Sequence, residues 1–245
     1  MTKTILVVGI GAGNPEHITI QAINALNRAD LLFIPDKGAG KADLASLRRE
    51  IVQRYVTNPH TRTLDYAVPK RDVGNPDYTG GVDDWHSALA QIFGNLLDAI
   101  PQGGTGAFLV WGDPGLYDST IRILERLRQS QTFVLEIIPG ITAMQALTAA
   151  HGIALNRIGE PVHITTGRRL ESVEADTVVM LDGQLAFRSA DPDLEIFWGA
   201  YLGTPDEIVI SGRLGDVADD ITQTRQAARE RHGWIMDTYL LRKPD

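Results

Sequence analysis

The chain has 245 residues, 43% of them hydrophobic and 22% charged, with a formal net charge of −8 and no cysteine. Such a composition describes a globular protein with a substantial core, in one large domain or two ordinary ones. It excludes disulfides, a thiolate metal site and a thiol nucleophile, and its acidic balance argues against a general nucleic-acid binder.

The first apolar run, ILVVGIG at 5–11, is short and broken by glycine, so it reads as a buried strand and not as a signal peptide. No stretch approaches 18 continuous apolar residues, so no membrane span is expected and a cytoplasmic location is. A helix follows at about 18–29, then strand LLFIP (31–35), a helix at 43–55 and a longer one at 83–99. Next come strand GAFLVW (106–111), a helix near 117–128, strand FVLEIIP (133–139) and a helix near 141–151. Strand–helix alternation of this kind predicts a parallel α/β sheet covered on both faces. Residues 57–82, rich in Pro, Gly and Asn, show little periodicity and read as a functional loop region. After Asn156 the strands cluster: PVHITTG, DTVVMLDG, EIFWGAYLG, DEIVISG and GWIMDTYLL, interrupted by one helix at about 216–231. The expected organisation is therefore two α/β domains, 1–156 with a parallel sheet and 157–245 with a mixed sheet, hinged near 155–160.

Three turns draw attention. Gly9, Gly11 and Gly13 sit at the end of the first strand, but neither register places a glycine where G-x-G-x-x-G requires one. The loop is equally consistent with a tight turn and with a ligand-lining segment; Pro15 then fixes the backbone, with Thr19 and Gln21 expected inside the following helix. The second turn is Gly112-Asp113-Pro114-Gly115, at the carboxyl end of a central strand, where open α/β sheets dock ligands. Glycine permits close backbone approach and proline locks the corner, while Asp113 can accept hydrogen bonds or favour a cation. The third, Pro139-Gly140 followed by Thr142 and Ala143, repeats the design. Two such corners at parallel strand ends favour a ligand site over ordinary punctuation.

His17, His60, His86, His151, His163 and His232 show no metal-ligand spacing and read as surface or core residues. Neither H-E-x-x-H nor G-x-S-x-G appears and no metal is expected, while the lack of a Walker lysine after a glycine loop disfavours phosphoryl transfer. Thr165-Thr166-Gly167-Arg168-Arg169 is either an anion grip or a capped turn with solvated arginines. Residues 37–71 carry eight bases and three acids, a net +5 that leaves −13 elsewhere. This run is either a solvated helix face or a trough for a polyanionic small molecule; in the second case Lys37, Arg48 and Arg71 are the candidate substrate contacts.

Taken together, VGIGAGNPEHITIQAINAL, WGDPGLYDST, IIPGITAMQAL, PVHITTG, VVMLDG and GAYLGTPDE resemble the tetrapyrrole (corrin/porphyrin) methyltransferases, over residues 4 to about 241. The resemblance implies two α/β domains with S-adenosylmethionine bound in the cleft between them, an anionic tetrapyrrole as substrate, and a homodimer. It places cofactor contacts on Pro15, Trp111, Gly112, Asp113, Leu116, Thr142, Ala143, Leu181 and Gly203. Trp111 departs from the small residue common in the family, and Asp182 stands where glycine is frequent. In such a site Leu181 offers an apolar slot for adenine, and carbonyls at the glycine corners favour the sulfonium. As the donor is already activated, positioning supplies most of the catalysis, on the order of 7–11 kcal/mol at best. For a proton-moving group the candidates are Tyr117, Asp118 and Asp36, near predicted strand ends, with none assigned.

Overall fold

The computed structural model describes residues 1–36, 42–69 and 78–244. Its elements are β1 (Lys3–Gly9), α1 (Ile20–Arg28), β2 (Leu31–Asp36), α2 (Ala42–Tyr55), β3 (Arg62–Ala67), α3 (Tyr78–Ala99), β4 (Thr105–Val110), α4 (Thr120–Leu127) and β5 (Phe133–Ile138). They continue with α5 (Ala143–His151), β6 (Val162–Thr166), β7 (Asp176–Met180), β8 (Glu195–Ala200), β9 (Ile208–Arg213), α6 (Leu214–His232) and β10 (Asp237–Arg242). The protein is α/β, with one parallel sheet, as the strand–helix alternation predicts, and one mixed sheet, as the clustered strands after Asn156 predict.

The first sheet has the order β3-β2-β4-β1-β5, and every pairing is parallel. Its central strands are buried on both faces, which explains their continuous apolar runs. Alternation still divides them: Leu6, Val8, Ala107 and Leu109 face the helices α1 and α2, while Ile5, Val7, Phe108 and Val110 face α3 and α4. The second sheet has the order β6-β7-β10-β8-β9, with β6 parallel to β7 and the remaining pairs antiparallel. Its core gathers Trp198, Tyr239 and Phe187 beneath α6.

Packing divides the chain into Met1–Gly11 with Pro15–Ile141, and Ala12–Asn14 with Thr142–Asp245. The boundary expected at 156/157 thus differs from the observed one at 141/142. Helix α5 packs on β8 and β10, and His151 Nε2 lies 3.0 Å from the Trp198 carbonyl oxygen, so the helix goes with the second sheet. Its start is defined by a capping box of Thr142 with Gln145, and its end by Gly152 in a left-handed conformation.

Two local expectations are corrected. The segment 57–82 is not a loop throughout, because 62–67 adds β3 to the sheet edge and α3 begins at Tyr78. Leu64, Tyr66 and Val68 pack against the core as alternate residues, a period-2 signal masked by the flanking Pro and Gly. Thr19 is also not helical: it is the extended N-cap of α1, its hydroxyl accepting the Ala22 N–H at 3.0 Å. Pro15 instead opens a short 3-10 turn, Pro15–His17.

Candidate functional site

The strand order places β4, β1 and β5 side by side, so the loops after all three leave the same edge of the sheet. There the backbones meet without side chains between them. A Cβ on Gly140 would lie 2.1 Å from the Gly112 oxygen, and one on Gly9 would lie 2.7 Å from the Gly140 Cα. Gly112, at φ 69°, donates its N–H to the Gly11 carbonyl at 2.8 Å. Asp113 ties the two corners together: Oδ1 accepts the Gly115 N–H at 2.7 Å and Oδ2 accepts the Gly140 N–H at 2.8 Å. The carboxylate is thus a staple between elbows, and the next residue, Pro114, is buried. Trp111 and Leu116 flank the corner, both half-buried, and the Leu116 N–H closes the turn onto the Asp113 carbonyl at 3.2 Å.

In the second unit the expected residues fall on three segments. Thr142 caps α5 and Ala143 is its first residue. Leu181 follows β7 in a left-handed conformation, φ 53°, and is 59% exposed. A bulky residue held there stores strain, and such strain clusters at functional sites. Asp182 explains how the turn is held. Its carboxylate accepts the Tyr239 hydroxyl at 2.8 Å and the amides of Gln184 and Ala186 at 2.9 and 2.7 Å. Its carbonyl accepts from Arg225, which in turn pairs with the buried Asp237 at 2.8 Å, also bonded by Trp198 Nε1. Burial pushes the Tyr239 hydroxyl far up, with Asp182 adding to the effect, and burial raises Asp237 against the opposing pull of Arg225. Gly203 (φ 77°) donates its N–H to Glu207 at 2.6 Å. The first-strand loop runs beside it: a Cβ on Gly13 would lie 2.2 Å from the Leu202 carbonyl oxygen.

The remaining candidates separate. Lys37 and Arg71 lie outside the described residues. Arg48 does not sit on an exposed basic face: it is 5% exposed, and its Nε donates to the Leu109 carbonyl at 3.0 Å. Arg49 is exposed and paired with Asp65 at 2.7 Å. Asp36 is exposed at the end of β2, its carbonyl accepting the Val68 N–H. Tyr117 is 43% exposed with a left-handed φ of 51°. Asp118 accepts the Thr120 N–H at 2.7 Å and so caps the start of α4.

Arg48 and Asp118 come together in a cavity of about 90 Å³ at the carboxyl ends of β2, β3 and β4, with Tyr66 and Ser119 in its wall. Burial holds the Arg48 guanidinium below its ordinary value, with Tyr66 and Asp118 opposing, and pushes the Tyr66 hydroxyl up. Ser119 Oγ lies 2.9 Å from Nε2 of His86, which is only 6% exposed. Burial first, then the charges of Arg126 and Arg122, hold His86 below 6.5, with Asp83 opposing. No sequence motif marks this pair; only the packing of α3 on α4 brings it together.

Glycine elbows at adjacent parallel strand ends, joined to a mixed-sheet unit with a strained apolar turn, define a class of protein. The chain belongs to the tetrapyrrole (corrin/porphyrin) methylase family, whose model matches residues 4–218. It is 59% identical to a precorrin-6A synthase [deacetylating] of Sinorhizobium sp., over 98% of this chain and 95% of that protein. Among solved structures, a protein described as related to cobalamin synthesis (CobF) from Corynebacterium diphtheriae superposes with a TM-score of 0.86 at 41% identity, covering 100% of both chains. The fold is shared with a uroporphyrin-III C-methyltransferase of Thermus thermophilus complexed with S-adenosylhomocysteine, at TM-score 0.60 and 18% identity over 98% of this chain and 97% of that one.

Proposed function

We propose that the chain is a deacetylating precorrin-6A synthase: an S-adenosylmethionine-dependent C-methyltransferase of aerobic cobalamin biosynthesis. It methylates precorrin-5 at ring carbon C-1 and releases the acetyl group as acetate, giving precorrin-6A and S-adenosylhomocysteine. The observation that carries this reading is the 59% identity along nearly the whole chain to a protein of that name. The elbows support it in chemical terms. Carbonyl-rich, side-chain-free corners suit a sulfonium, and an exposed leucine held in a fixed turn suits the face of an adenine ring. On this reading Pro15, Trp111, Gly112, Asp113, Leu116, Thr142, Ala143, Leu181 and Gly203 contact the donor. For methyl transfer the chain's task is to align the S–CH3 bond with the ring carbon, and release of acetate additionally requires a water molecule at the acetyl carbonyl. Arg48 meets the anionic substrate from within its cavity and not from an open trough. The assembly is a homodimer, which sedimentation measures directly.

The decisive experiment incubates the purified protein with precorrin-5 and S-adenosylmethionine. Mass spectrometry should show a product that has gained a methyl and lost an acetyl group, with acetate equimolar to S-adenosylhomocysteine. A methylated product that keeps its acetyl group would make the chain a methyltransferase for another ring position. Turnover to S-adenosylhomocysteine would exclude a non-catalytic tetrapyrrole carrier.

A further inference from the structure

The loss of an acetyl group is an acyl transfer, and the positioning that suffices for methyl transfer does not perform it. Acyl transfer needs a nucleophile, a base beside it, and positive charge where the carbonyl oxygen becomes anionic. The cavity in the first unit has Ser119 and Arg48 in its wall, and His86 stands behind Ser119 within hydrogen-bond reach. Ser119 Oγ lies 2.9 Å from His86 Nε2. Ser119 is the N-cap of α4, yet its side chain makes no capping bond to the helix. Its hydroxyl is therefore committed to the imidazole and not to the helix. His86 is buried, as a base that must stay neutral requires. Arg48 brings a guanidinium to the same cavity, and the amino end of α4 adds partial positive charge. At about 90 Å³ the space suits a two-carbon acyl group and is far too small for a macrocycle. Leu89, Val110 and Ile123 give it an apolar side for the methyl. It is walled by Leu109 and Val110, the residues just before the Trp111-Gly112-Asp113 elbow.

We infer that Ser119 and His86 form an acyl-transfer dyad that removes the acetyl group of the substrate through an acetyl-serine. This rests on the proposed function above. Ser119 Oγ attacks the acetyl carbonyl carbon as its proton passes to His86 Nε2. The bond from that carbon to the ring carbon breaks, and its electron pair stays on the ring carbon. The ring carbon then takes the methyl group from S-adenosylmethionine, whose sulfur keeps the S–CH3 bonding pair. His86, having lost its proton to solvent, deprotonates a water that hydrolyses the ester, freeing acetate and restoring Ser119. The sum consumes one water and releases two protons. Deacetylation therefore generates the carbon nucleophile that methyl transfer needs.

Two measurements test the dyad. p-Nitrophenyl acetate, given to the enzyme without tetrapyrrole and quenched in acid during turnover, should show an acetyl group on the peptide carrying Ser119. Ser119→Ala should abolish that label and Ser119→Cys should retain it as a thioester. With precorrin-5 and S-adenosylmethionine, Ser119→Ala and His86→Asn should each slow acetate release about 100-fold or more, with S-adenosylmethionine affinity by calorimetry within about twofold of wild type. Acetate release at the wild-type rate from Ser119→Ala, or a label confined to other residues, overturns the inference. If wild-type enzyme methylates precorrin-5 without releasing acetate, the functional reading fails, and the labelling result alone decides whether the dyad is an acyl acceptor.

Discussion

Replacing Asp113 by alanine removes the staple between the two elbows while leaving both glycine turns in the sequence. Two charge-assisted hydrogen bonds go, from Gly115 and Gly140. A bond to a charged group nets about 1.5–3 kcal/mol when sheltered. The Gly115 bond is exposed, so water satisfies its amide on substitution and most of that figure is lost to solvent. The Gly140 amide is part-buried, in a spot where the Gly112 oxygen and the Gly9 Cα already crowd it. The expected loss of unfolding free energy is therefore about 2–3 kcal/mol in total. Affinity for S-adenosylmethionine should fall about tenfold or more, because binding must then also reorder the corner. Asp113→Asn is the discriminating control. Its amide oxygen keeps one of the two bonds while its amino group faces the other N–H, so both losses should be roughly halved. Urea denaturation and titration calorimetry read the two quantities on the same samples. An alanine variant with wild-type affinity and an unfolding free energy within about 0.5 kcal/mol of wild type would refute the staple.

Gly140→Ala forces a Cβ to within 2.1 Å of a backbone oxygen, where no flexible side chain can yield, and should cost about 3 kcal/mol or more in thermal or urea unfolding. Leu181→Gly relieves a left-handed leucine, so it should raise stability by up to about 1 kcal/mol while weakening S-adenosylmethionine binding in calorimetry. Asp182→Ala strands the Tyr239 hydroxyl and two amides and should cost about 3–5 kcal/mol in urea unfolding. His86 is held below 6.5 in the folded chain, so the unfolded chain takes up the proton first as pH falls. The stability its neutral form contributes is present above pH 6.5 and lost on acidification. His86→Gln should flatten that acid limb of the urea midpoint.

The elbows were legible because turn chemistry is local: glycine and proline at 112, 114, 139 and 140 announce a sharp, rigid corner wherever the chain goes. The parallel sheet was legible from strands that are apolar on every residue. Allegiance was not. A helix that follows a strand at 143 looks the same whether it packs on the sheet it left or on one yet to be made, and α5 does the second. Edge strand β3 was lost because only Leu64, Tyr66 and Val68 carry its pattern, between segments rich in Pro and Gly. Arg48 cannot be singled out in the sequence, because a basic run hides which of its members turns inward. Its Nε finds a carbonyl 61 residues away, which no window reveals. The same is true of His86 and Ser119, 33 residues apart and joined only by the register of two helices.

Asp182 shows how a departure from a family's usual residue can be read physically. A glycine after Leu181 would give the turn backbone freedom but nothing to hold it. The aspartate does the opposite: its carboxylate reaches Tyr239 on β10 and two amides ahead, and its carbonyl reaches Arg225 on α6. A Cβ on Gly167 would lie 2.4 Å from Asp182 Oδ1, so the residue after β6 must stay bare for the carboxylate to fit. Leucine at φ 53° costs on the order of 1–2 kcal/mol, less than several sheltered hydrogen bonds supply. The strain therefore persists, and the exposed Leu181 side chain is presented in one fixed attitude. On the proposed reading, a preordered apolar contact of this kind lowers the ordering cost of binding a flat nucleoside, with the strained Leu181 exposed and Asp182 behind it buried.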